Sequence, residues 1–165
     1  MKQLTALAAA LLLLATGCDK KDPVPPPPTT AGGASGSRPD KMPNGEPAVI
    51  TLKHVLIAFA GSERSEQKRT KEEAQKLAYE LLGRAKSGED FDALMKEYSN
   101  DPGGGTYTMV NSGLTADQGA NEFGRSDMVP AFGDVGFRIS VNEVGLAEHD
   151  PKTSPFGYHV IKRIK

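Results

Sequence analysis

The sequence predicts an α+β domain in which helices surround an antiparallel sheet of four strands, preceded by a segment without a core. Residues 49–165 begin and end with runs rich in β-branched and apolar residues, which is typical of strands. Two stretches between these runs place apolar residues at helical spacing. The 165-residue chain therefore contains one domain of ordinary size, and a second globular domain is not expected.

The first half of the domain contains one predicted strand and two predicted helices. Residues 49–59 lie between a proline and a glycine and form the strand, in which period two places His54 on the same face as two leucines. A capping box opens the helix over residues 70–88. A second helix over 90–98 ends at the glycine-rich breaker 99–105.

The second half continues with a strand at 106–110 and a polar, glycine-containing stretch at 111–126. A short helical turn follows over 128–137. Residues 144–148 and 157–164 then form a hairpin around a proline-containing loop. The predicted order is strand, helix, helix, strand, short helix, strand, strand.

The N-terminus resembles a bacterial lipoprotein signal. Residues 1–17 have a basic start, a leucine- and alanine-rich run too short to span a bilayer, and small residues before Cys18. In such signals the cysteine is acylated, so we expect Cys18 to carry the lipid. An ordinary cleaved signal with a chance cysteine is the alternative. The resemblance implies an envelope protein anchored to a bacterial membrane, inner or outer, with its domain facing the periplasm or the cell exterior.

Residues 18–48 are expected to form a tether between the acylated cysteine and the domain. They contain four consecutive prolines at 25–28 and a Gly/Ser-rich run at 32–37, with almost no large apolar side chains. Such a composition cannot bury enough surface to fold. The predicted organisation is thus a signal peptide at 1–17, an acylated cysteine and linker at 18–48, and a domain at 49–165.

Charge and motif content exclude several classes of function. The 20 basic and 21 acidic side chains are intermixed and give a net charge of −1, so we expect no nucleic-acid partner. The sequence has no Cys/His pair, no glycine-rich phosphate loop and no cluster at metal-ligand spacing. We therefore expect no metal, no cofactor and no covalent catalysis.

A few residues remain as candidates for chemistry. His54 and His159 lie on core-side faces of the first and last predicted strands, and Asp101 lies in a glycine-rich turn, where we expect it to be exposed. Met128 and Phe132 are four residues apart. Each also has an ordinary interpretation, as core histidines, a turn-forming aspartate and core filler.

Six motifs in register are similar to the parvulin family of peptidyl-prolyl cis–trans isomerases. They cover almost all of residues 50–165. Any one tetrapeptide is a weak signal, whereas six in the family's order are a strong one. The motifs are His54-Val55-Leu56-Ile57, Glu73-Ala74, Gly88-Glu89-Asp90-Phe91, Tyr98-Ser99-Asn100-Asp101, Met128-Val129-Pro130-Ala131-Phe132 and Phe156-Gly157-Tyr158-His159-Val160-Ile161-Lys162.

The resemblance implies a parvulin-like fold and a role for each matching residue. His54 and His159 would be the paired histidines beneath the active site. Asp101 would stand where relatives have Cys or Asp, and Ser154 would supply the usual hydroxyl to a hydrogen-bond network with them. Met128 and Phe132 would line the proline pocket.

The chain departs from the family pattern at residues 104–108, where relatives usually read Gly-Gly-Asp-Leu-Gly and a long polar segment follows here. This leaves the aliphatic wall of the pocket open between three candidates, Tyr107, Met109 and Leu114. The charged residues 63–69 lie where phospho-specific relatives have a basic cluster, but acidic residues are interleaved with the basic ones. We interpret this loop as a solvated charge run.

The function implied by the resemblance is isomerisation of X-Pro bonds in unfolded or maturing exported proteins. The partners would be proline-containing polypeptides and, through the lipid, a membrane, and we expect a monomer. A non-catalytic chaperone or peptide-binding module of the same fold is the alternative, because a fold alone does not determine activity. A purely structural lipoprotein would leave the six motifs unexplained.

Overall fold

A five-stranded sheet with three α-helices makes up the part of the chain that the structure, a computed structural model, describes, which is residues 38–165. The predicted signal peptide at 1–17, Cys18 and the linker as far as residue 37 lie outside the described residues. The elements are β1 (Val49–Ile57), α1 (Lys71–Lys86), α2 (Phe91–Tyr98), β2 (Thr106–Val110), β3 (Glu122–Gly124), α3 (Pro130–Arg138), β4 (Val144–Ala147) and β5 (Tyr158–Arg163).

The strands lie in the order β3-β2-β1-β5-β4. β1 pairs antiparallel with β2 and with β5, and β4 and β5 form the predicted hairpin, so the antiparallel arrangement of these four strands is confirmed.

The predicted number of four strands is corrected by β3, which pairs parallel with β2 through Met109 opposite Phe123. A 3₁₀ turn at Gln118–Ala120 reverses the chain ahead of it. A strand of three residues is too short to show a period-two pattern, so the polar stretch after β2 gave no signal for it.

The two faces of the sheet support separate hydrophobic clusters. Val55 and Ile57 of β1 and Val160 of β5 pack in the cluster that contains the buried residues of α1 and α2. Leu52 of β1 and Ile161 of β5 pack in the other cluster, which contains the buried residues of α3. Alternate residues of a strand point to opposite faces, which is why β1 contributes to both clusters.

The helix boundaries follow the predicted caps. The Thr70 hydroxyl accepts from the backbone N–H of Glu73, and the Glu73 carboxylate accepts from the N–H of Thr70, which completes the capping box of α1. Asp90 caps α2 through the N–H of Asp92. None of the helices in the described part of the chain is both long and apolar enough to cross a membrane.

Residues 38–48, which the sequence assigns to the linker, contact the sheet and the segment between β2 and α3. Ala48 is only 1% exposed. Arg38 forms an ion pair with Glu122 of β3 at 2.7 Å, and Glu46 forms one with Arg125 at 2.8 Å. The boundary at residue 49 stays a prediction, but these contacts show that the described end of the predicted linker packs on the domain.

Candidate active site

The pairing of β1 with β5 brings the two predicted histidines together. His54 lies opposite Ile161, and Leu56 lies opposite His159, so the histidines are diagonal neighbours on one face of adjacent strands. Their Nδ1 atoms are 3.1 Å apart, and each residue is only 4% exposed. The prediction that both occupy the core-side face is confirmed.

Asp101 approaches the histidines because the turn after α2 is fastened to β1. The N–H of Asn100 donates to the carbonyl of Leu56, and the Ser99 hydroxyl accepts from the N–H of Leu56. The glycine-rich turn then returns to β1, where the N–H of His54 donates to the carbonyl of Gly105. Gly105 has a φ of +72°, and a Cβ there would lie 2.7 Å from the His54 carbonyl oxygen, so glycine is required.

The carboxylate of Asp101 accepts hydrogen bonds from three donors. His54 Nε2 lies 2.8 Å from Oδ2, and the Tyr107 hydroxyl lies 2.8 Å from the same oxygen. The N–H of Gly103 lies 2.9 Å from Oδ1. The expectation that Asp101 is exposed is wrong, because these contacts leave its side chain only 12% exposed.

The same contacts shift the protonation equilibria of the site. The hydrogen bond from His54 lowers the pKa of Asp101 far below its ordinary value, helped by Gly103 and Tyr107 and opposed by burial. Burial, followed by the hydrogen bond to Asp101, raises the pKa of Tyr107 to about 12. Burial, followed by the neighbouring His54, lowers the pKa of His159 to about 3. At neutral pH the carboxylate is ionised and the His159 ring is neutral.

The hydrogen-bond pattern assigns the protons of the two rings. An ionised Asp101 can only accept, so His54 Nε2 carries a proton and donates to it. The two Nδ1 atoms share one proton between them, and with that proton on His159 the bare Nδ1 of His54 accepts from Nδ1–H of His159. His159 Nε2 is then an unprotonated acceptor, and it has no hydrogen-bond partner among the described residues. The opposite placement would leave a buried N–H at His159 Nε2 without a partner. An unpaired acceptor at this position costs less free energy than an unpaired buried donor, so we assign the proton to Nδ1 of His159.

An open cleft of about 830 Å³ lies above this chain of polar groups. The Phe132 ring packs against both histidines in T-shaped geometry, with its centroid 4.9 Å from that of His54 and 5.5 Å from that of His159. The residues that line the cleft are His54, Leu56, Ala58, Glu63, Arg64, Ser65, Glu66, Gln67, Asn100, Asp101, Pro102, Tyr107, Asp127, Met128, Val129, Phe132, Phe156 and His159.

The structure brings some of the predicted site residues to the cleft and places others elsewhere. Met128, Phe132 and Tyr107 line the cleft with the two histidines and Asp101. Met109 is fully buried in the cluster beneath α3, and Leu114 lies in the turn after β2, so neither lines the cleft. Of the three candidates for the pocket wall, only Tyr107 is in position.

The expected hydrogen bond between Ser154 and the histidines is absent, and this prediction is corrected. The Ser154 hydroxyl donates to the carbonyl of Gly157 at 2.9 Å, and its backbone pairs with Asp150. The loop before β5 turns back on itself, so the hydroxyl is used to close that turn. Its side chain is buried but does not line the cleft.

Five apolar residues of the cleft were not predicted as pocket residues, namely Leu56, Ala58, Pro102, Val129 and Phe156. Leu56 shares a strand face with His54, and Val129 and Phe156 lie beside residues that the sequence had already singled out. The period-two pattern of β1 and the positions of the motifs could therefore have indicated these residues as part of the pocket.

Among residues 38–165, no group of three His, Cys, Asp or Glu side chains is placed to hold a metal ion.

A sheet covered by helices on both faces, with paired histidines and a carboxylate beneath an apolar cleft, defines a parvulin-type domain. Residues 41–164 match the family model of the PPIC-type PPIASE domain. The chain belongs to this family.

Curated relatives match the same domain. The chain is 37% identical over 90 residues to the foldase protein PrsA 4 of Bacillus cereus, a match that covers 53% of this chain and 27% of the relative. It is 39% identical over 114 residues to the foldase protein PrsA of Caldanaerobacter subterraneus, a match that covers 69% of this chain and 28% of the relative. It is 30% identical over 113 residues to the chaperone SurA of Pseudomonas fluorescens, a match that covers 68% of this chain and 22% of the relative. The chain spans about a quarter of the length of these relatives.

A solved structure shares the fold. The peptidyl-prolyl isomerase ESS1 from Candida albicans superposes with a TM-score of 0.56 at 21% sequence identity, and the match covers 73% of this chain and 67% of that one. At this identity the likeness shows the fold alone.

Proposed function

We propose that this domain is a peptidyl-prolyl cis–trans isomerase that acts on X-Pro bonds of unfolded or maturing exported proteins without forming a covalent bond. The observation that carries the proposal is the cleft itself, whose apolar side chains surround the chain of hydrogen bonds from Asp101 through His54 to His159. Membership of the PPIC-type PPIase family supports it.

The chemistry required is a rotation, and it suits a site that holds rather than attacks its substrate. The barrier is about 18–20 kcal/mol because rotation breaks the resonance of the amide bond. A slot formed by Phe132, Met128 and Leu56 would hold the proline ring. Exclusion of water by these side chains disfavours the charge-separated planar amide relative to the twisted form, and rotation becomes easier.

Asp101 would act electrostatically on the carbonyl that precedes proline. The planar amide places partial negative charge on its carbonyl oxygen. An ionised carboxylate near that oxygen disfavours this charge and so weakens the double-bond character of the C–N bond. The low pKa of Asp101 keeps the group ionised, and the donors from His54 and Tyr107 hold it in one orientation. His54, Asp101 and His159 are the proposed polar centre, and Met128, Phe132 and Tyr107 the proposed substrate contacts.

The proposal is tested with residues 38–165 and tetrapeptides that differ in the residue before proline. We expect the cis-to-trans rate to rise in proportion to enzyme concentration. Glu97→Gln, an exposed change on α2 outside the cleft, is the matched control and should retain the full rate. A rate that stays at the uncatalysed value for every peptide would contradict the proposal.

A non-catalytic peptide-binding module is the second candidate function, and one observation favours it. The Tyr107 hydroxyl bonds to the Asp101 oxygen that also accepts from His54, so the carboxylate has fewer free lone pairs to act on a substrate. The curated relatives are called foldases and a chaperone. A module of this kind would bind X-Pro peptides with a measurable Kd and leave the isomerisation rate unchanged.

The setting proposed for the domain comes from the sequence. We propose that Cys18 is acylated and anchors the chain to a bacterial envelope membrane, with the domain facing the periplasm or the cell exterior. Proline-containing polypeptides would be its clients. We propose that the protein works as a monomer, without cofactor and without nucleic acid.

A further inference from the structure

The walls of the cleft carry an excess of negative charge. Five charged residues line it, and four of them are carboxylates, namely Glu63, Glu66, Asp101 and Asp127, whereas Arg64 is the one cation among these lining residues. The carboxylates come from three separate segments, which are the loop after β1, the turn after α2 and the turn before α3. They therefore surround the cleft rather than cluster at one point.

The one cation of the lining is already engaged. The guanidinium of Arg64 lies 5.6 Å from the centroid of the Phe156 ring and 4.0 Å from the Glu63 carboxylate. Its side chain is 82% exposed, so much of its charge is screened by solvent. Arg64 therefore offsets Glu63 and leaves Glu66 and Asp127 without a cation among the residues that line the cleft.

Glu66 and Asp127 form no ion pair with any residue in the described part of the chain. Asp127 accepts a hydrogen bond from the backbone N–H of Gly124 at 3.1 Å, which orients its carboxylate without neutralising it. The neighbouring cations do not line the cleft. Arg69 donates instead to the side chains of Asn100 and Gln67.

The floor of the cleft shows a second, independent imbalance, between hydrogen-bond donors and acceptors. Its donors, His54 Nε2–H and the Tyr107 hydroxyl, are both taken by Asp101. His159 Nε2 is buried and has no partner among residues 38–165. The polar groups that this floor offers to a ligand are thus the unpaired His159 nitrogen and the Asp101 carboxylate, which complement donors and cations.

We propose that the cleft prefers client segments that carry lysine or arginine beside the proline and disfavours acidic or phosphorylated segments. This substrate class rests on the proposed function, because it assumes that the proline ring occupies the apolar floor. A flanking basic side chain would then reach Glu66 on one side or Asp127 on the other. Carboxylates around an apolar floor concentrate their field in the cleft, and added salt screens it.

The test measures kcat/KM and Kd for tetrapeptides that differ only in the residue before proline, which is lysine, glutamine or glutamate. We expect kcat/KM for the lysine peptide to exceed that for the glutamate peptide by about fivefold to tenfold at low salt, with glutamine between them. High salt should bring the ratio close to one. Each ratio is taken within one protein sample, so it does not depend on the folded fraction.

Single variants locate the source of the preference. Glu66→Gln and Asp127→Asn should each lower the lysine-to-glutamate ratio, and the double variant should lower it further. Glu97→Gln changes the net charge by the same amount outside the cleft and should leave the ratio unaltered. A change produced equally by all three variants would mean that net charge, rather than the cleft, sets the preference, and would overturn the proposal.

The outcomes separate this inference from the proposed function. If the glutamine peptide is isomerised but all three peptides react and bind equally, the preference is wrong and the isomerase function stands. If no peptide is isomerised but the lysine peptide binds several-fold more tightly than the glutamate peptide, the preference stands in a binding module. Equal Kd values, or no binding of any peptide, would overturn the preference.

Discussion

Asp101 accepts from three donors, and this determines what its replacement should do. Asp101→Ala would leave His54 Nε2–H and the Tyr107 hydroxyl without their partner in a partly buried site. We expect the isomerisation rate per folded molecule to fall at least about tenfold, or about 1.4 kcal/mol in the barrier. The free energy of unfolding should also fall, by about 1–3 kcal/mol, because unpaired polar groups remain.

Asp150→Ala is the matched control for this change. Asp150 also accepts backbone hydrogen bonds within a turn, from Lys152 and Thr153, but it does not line the cleft. It should lose stability and retain its rate per folded molecule. If Asp101→Ala isomerises peptides as fast as the parent, the electrostatic role given to the carboxylate fails.

The neutral His159 ring predicts a loss of stability in mild acid. Burial lowers the pKa of His159 to about 3 from an ordinary value of 6.5, so the unfolded ring takes up a proton in this interval and the folded ring does not. Stability therefore decreases as pH falls below about 6.5, by at most about 1.4 kcal/mol per pH unit for each such group. The lowered pKa of Asp101 reduces stability only when pH falls to about the ordinary value of 3.8 or below. Between pH 6.5 and pH 5 the expected loss of stability therefore does not come from Asp101.

Denaturant unfolding at pH 7 and pH 5 checks this dependence. His159→Gln removes the titrating ring, so its free energy of unfolding should change less between the two pH values than that of the parent. Burial also lowers the pKa of His149, and His149→Gln shows how much that ring contributes. A pH dependence in His159→Gln as steep as in the parent would contradict the assignment.

At the residue scale, the sequence predicted the face of each strand residue better than the contacts of loop residues. Period two alone placed His54 and His159 each on the core-side face of its own strand, because side-chain direction in a strand follows from position. The bonds of Asp101 and Ser154 depend on the path of glycine-containing turns, which no periodicity encodes. The bond from Tyr107 to Asp101 joins a strand to such a turn and was missed for the same reason.

Among the elements, the segment 38–48 has contacts that its composition did not predict. Two of its side chains reach the region between β2 and α3, through Arg38 to Glu122 and Glu46 to Arg125. Arg125 also pairs with Asp134 of α3 at 2.7 Å. The sequence alone suggests that removing residues 19–47 leaves the domain folded and active. The contacts shift the expected boundary to about residue 38.

We therefore expect a fragment of residues 38–165 to unfold cooperatively at a higher temperature than a fragment of residues 49–165. The shorter fragment loses two ion pairs and exposes surface now covered by 38–48. Isomerisation rates of both fragments, measured well below their midpoints, show whether the segment also supports the cleft. Equal thermal midpoints would mean that residues 38–48 add nothing to stability.

The elements that were predicted correctly are those with a strong local signal. The capping box, the helical spacing of α1 and the β-branched runs of β1 and β5 each act within about ten residues of chain, and all three appear in the structure. β3 was missed because its formation depends on a partner strand that lies outside its own three residues. Local patterns carry no information on such pairings.

At the scale of the whole molecule, the lipid anchor is the part of the account that depends on sequence alone. We predict that Cys18→Ser leaves an unacylated precursor or a soluble form, because acyl transfer requires the thiol. Membrane fractionation of the full chain tests this, with the isomerisation rate of each fraction showing that the domain has folded. Full partition of the Cys18→Ser chain into membranes would refute the lipid-anchor proposal.

The central claim is that the cleft accelerates rotation about an X-Pro bond, and exchange NMR of one sample tests both the rate and the location. Exchange cross-peaks between the cis and trans forms of a proline peptide report the rate, and shifted amide resonances report the binding site. Met128→Ala is the most suitable variant, since Phe132 is a buried part of the core and its replacement would also destabilise the fold. We predict enzyme-dependent exchange, shifts centred on His54, Asp101 and Met128, and slower exchange with Met128→Ala in a domain that remains folded. Exchange at the uncatalysed rate, or shifts confined to surfaces outside the cleft, would contradict the account.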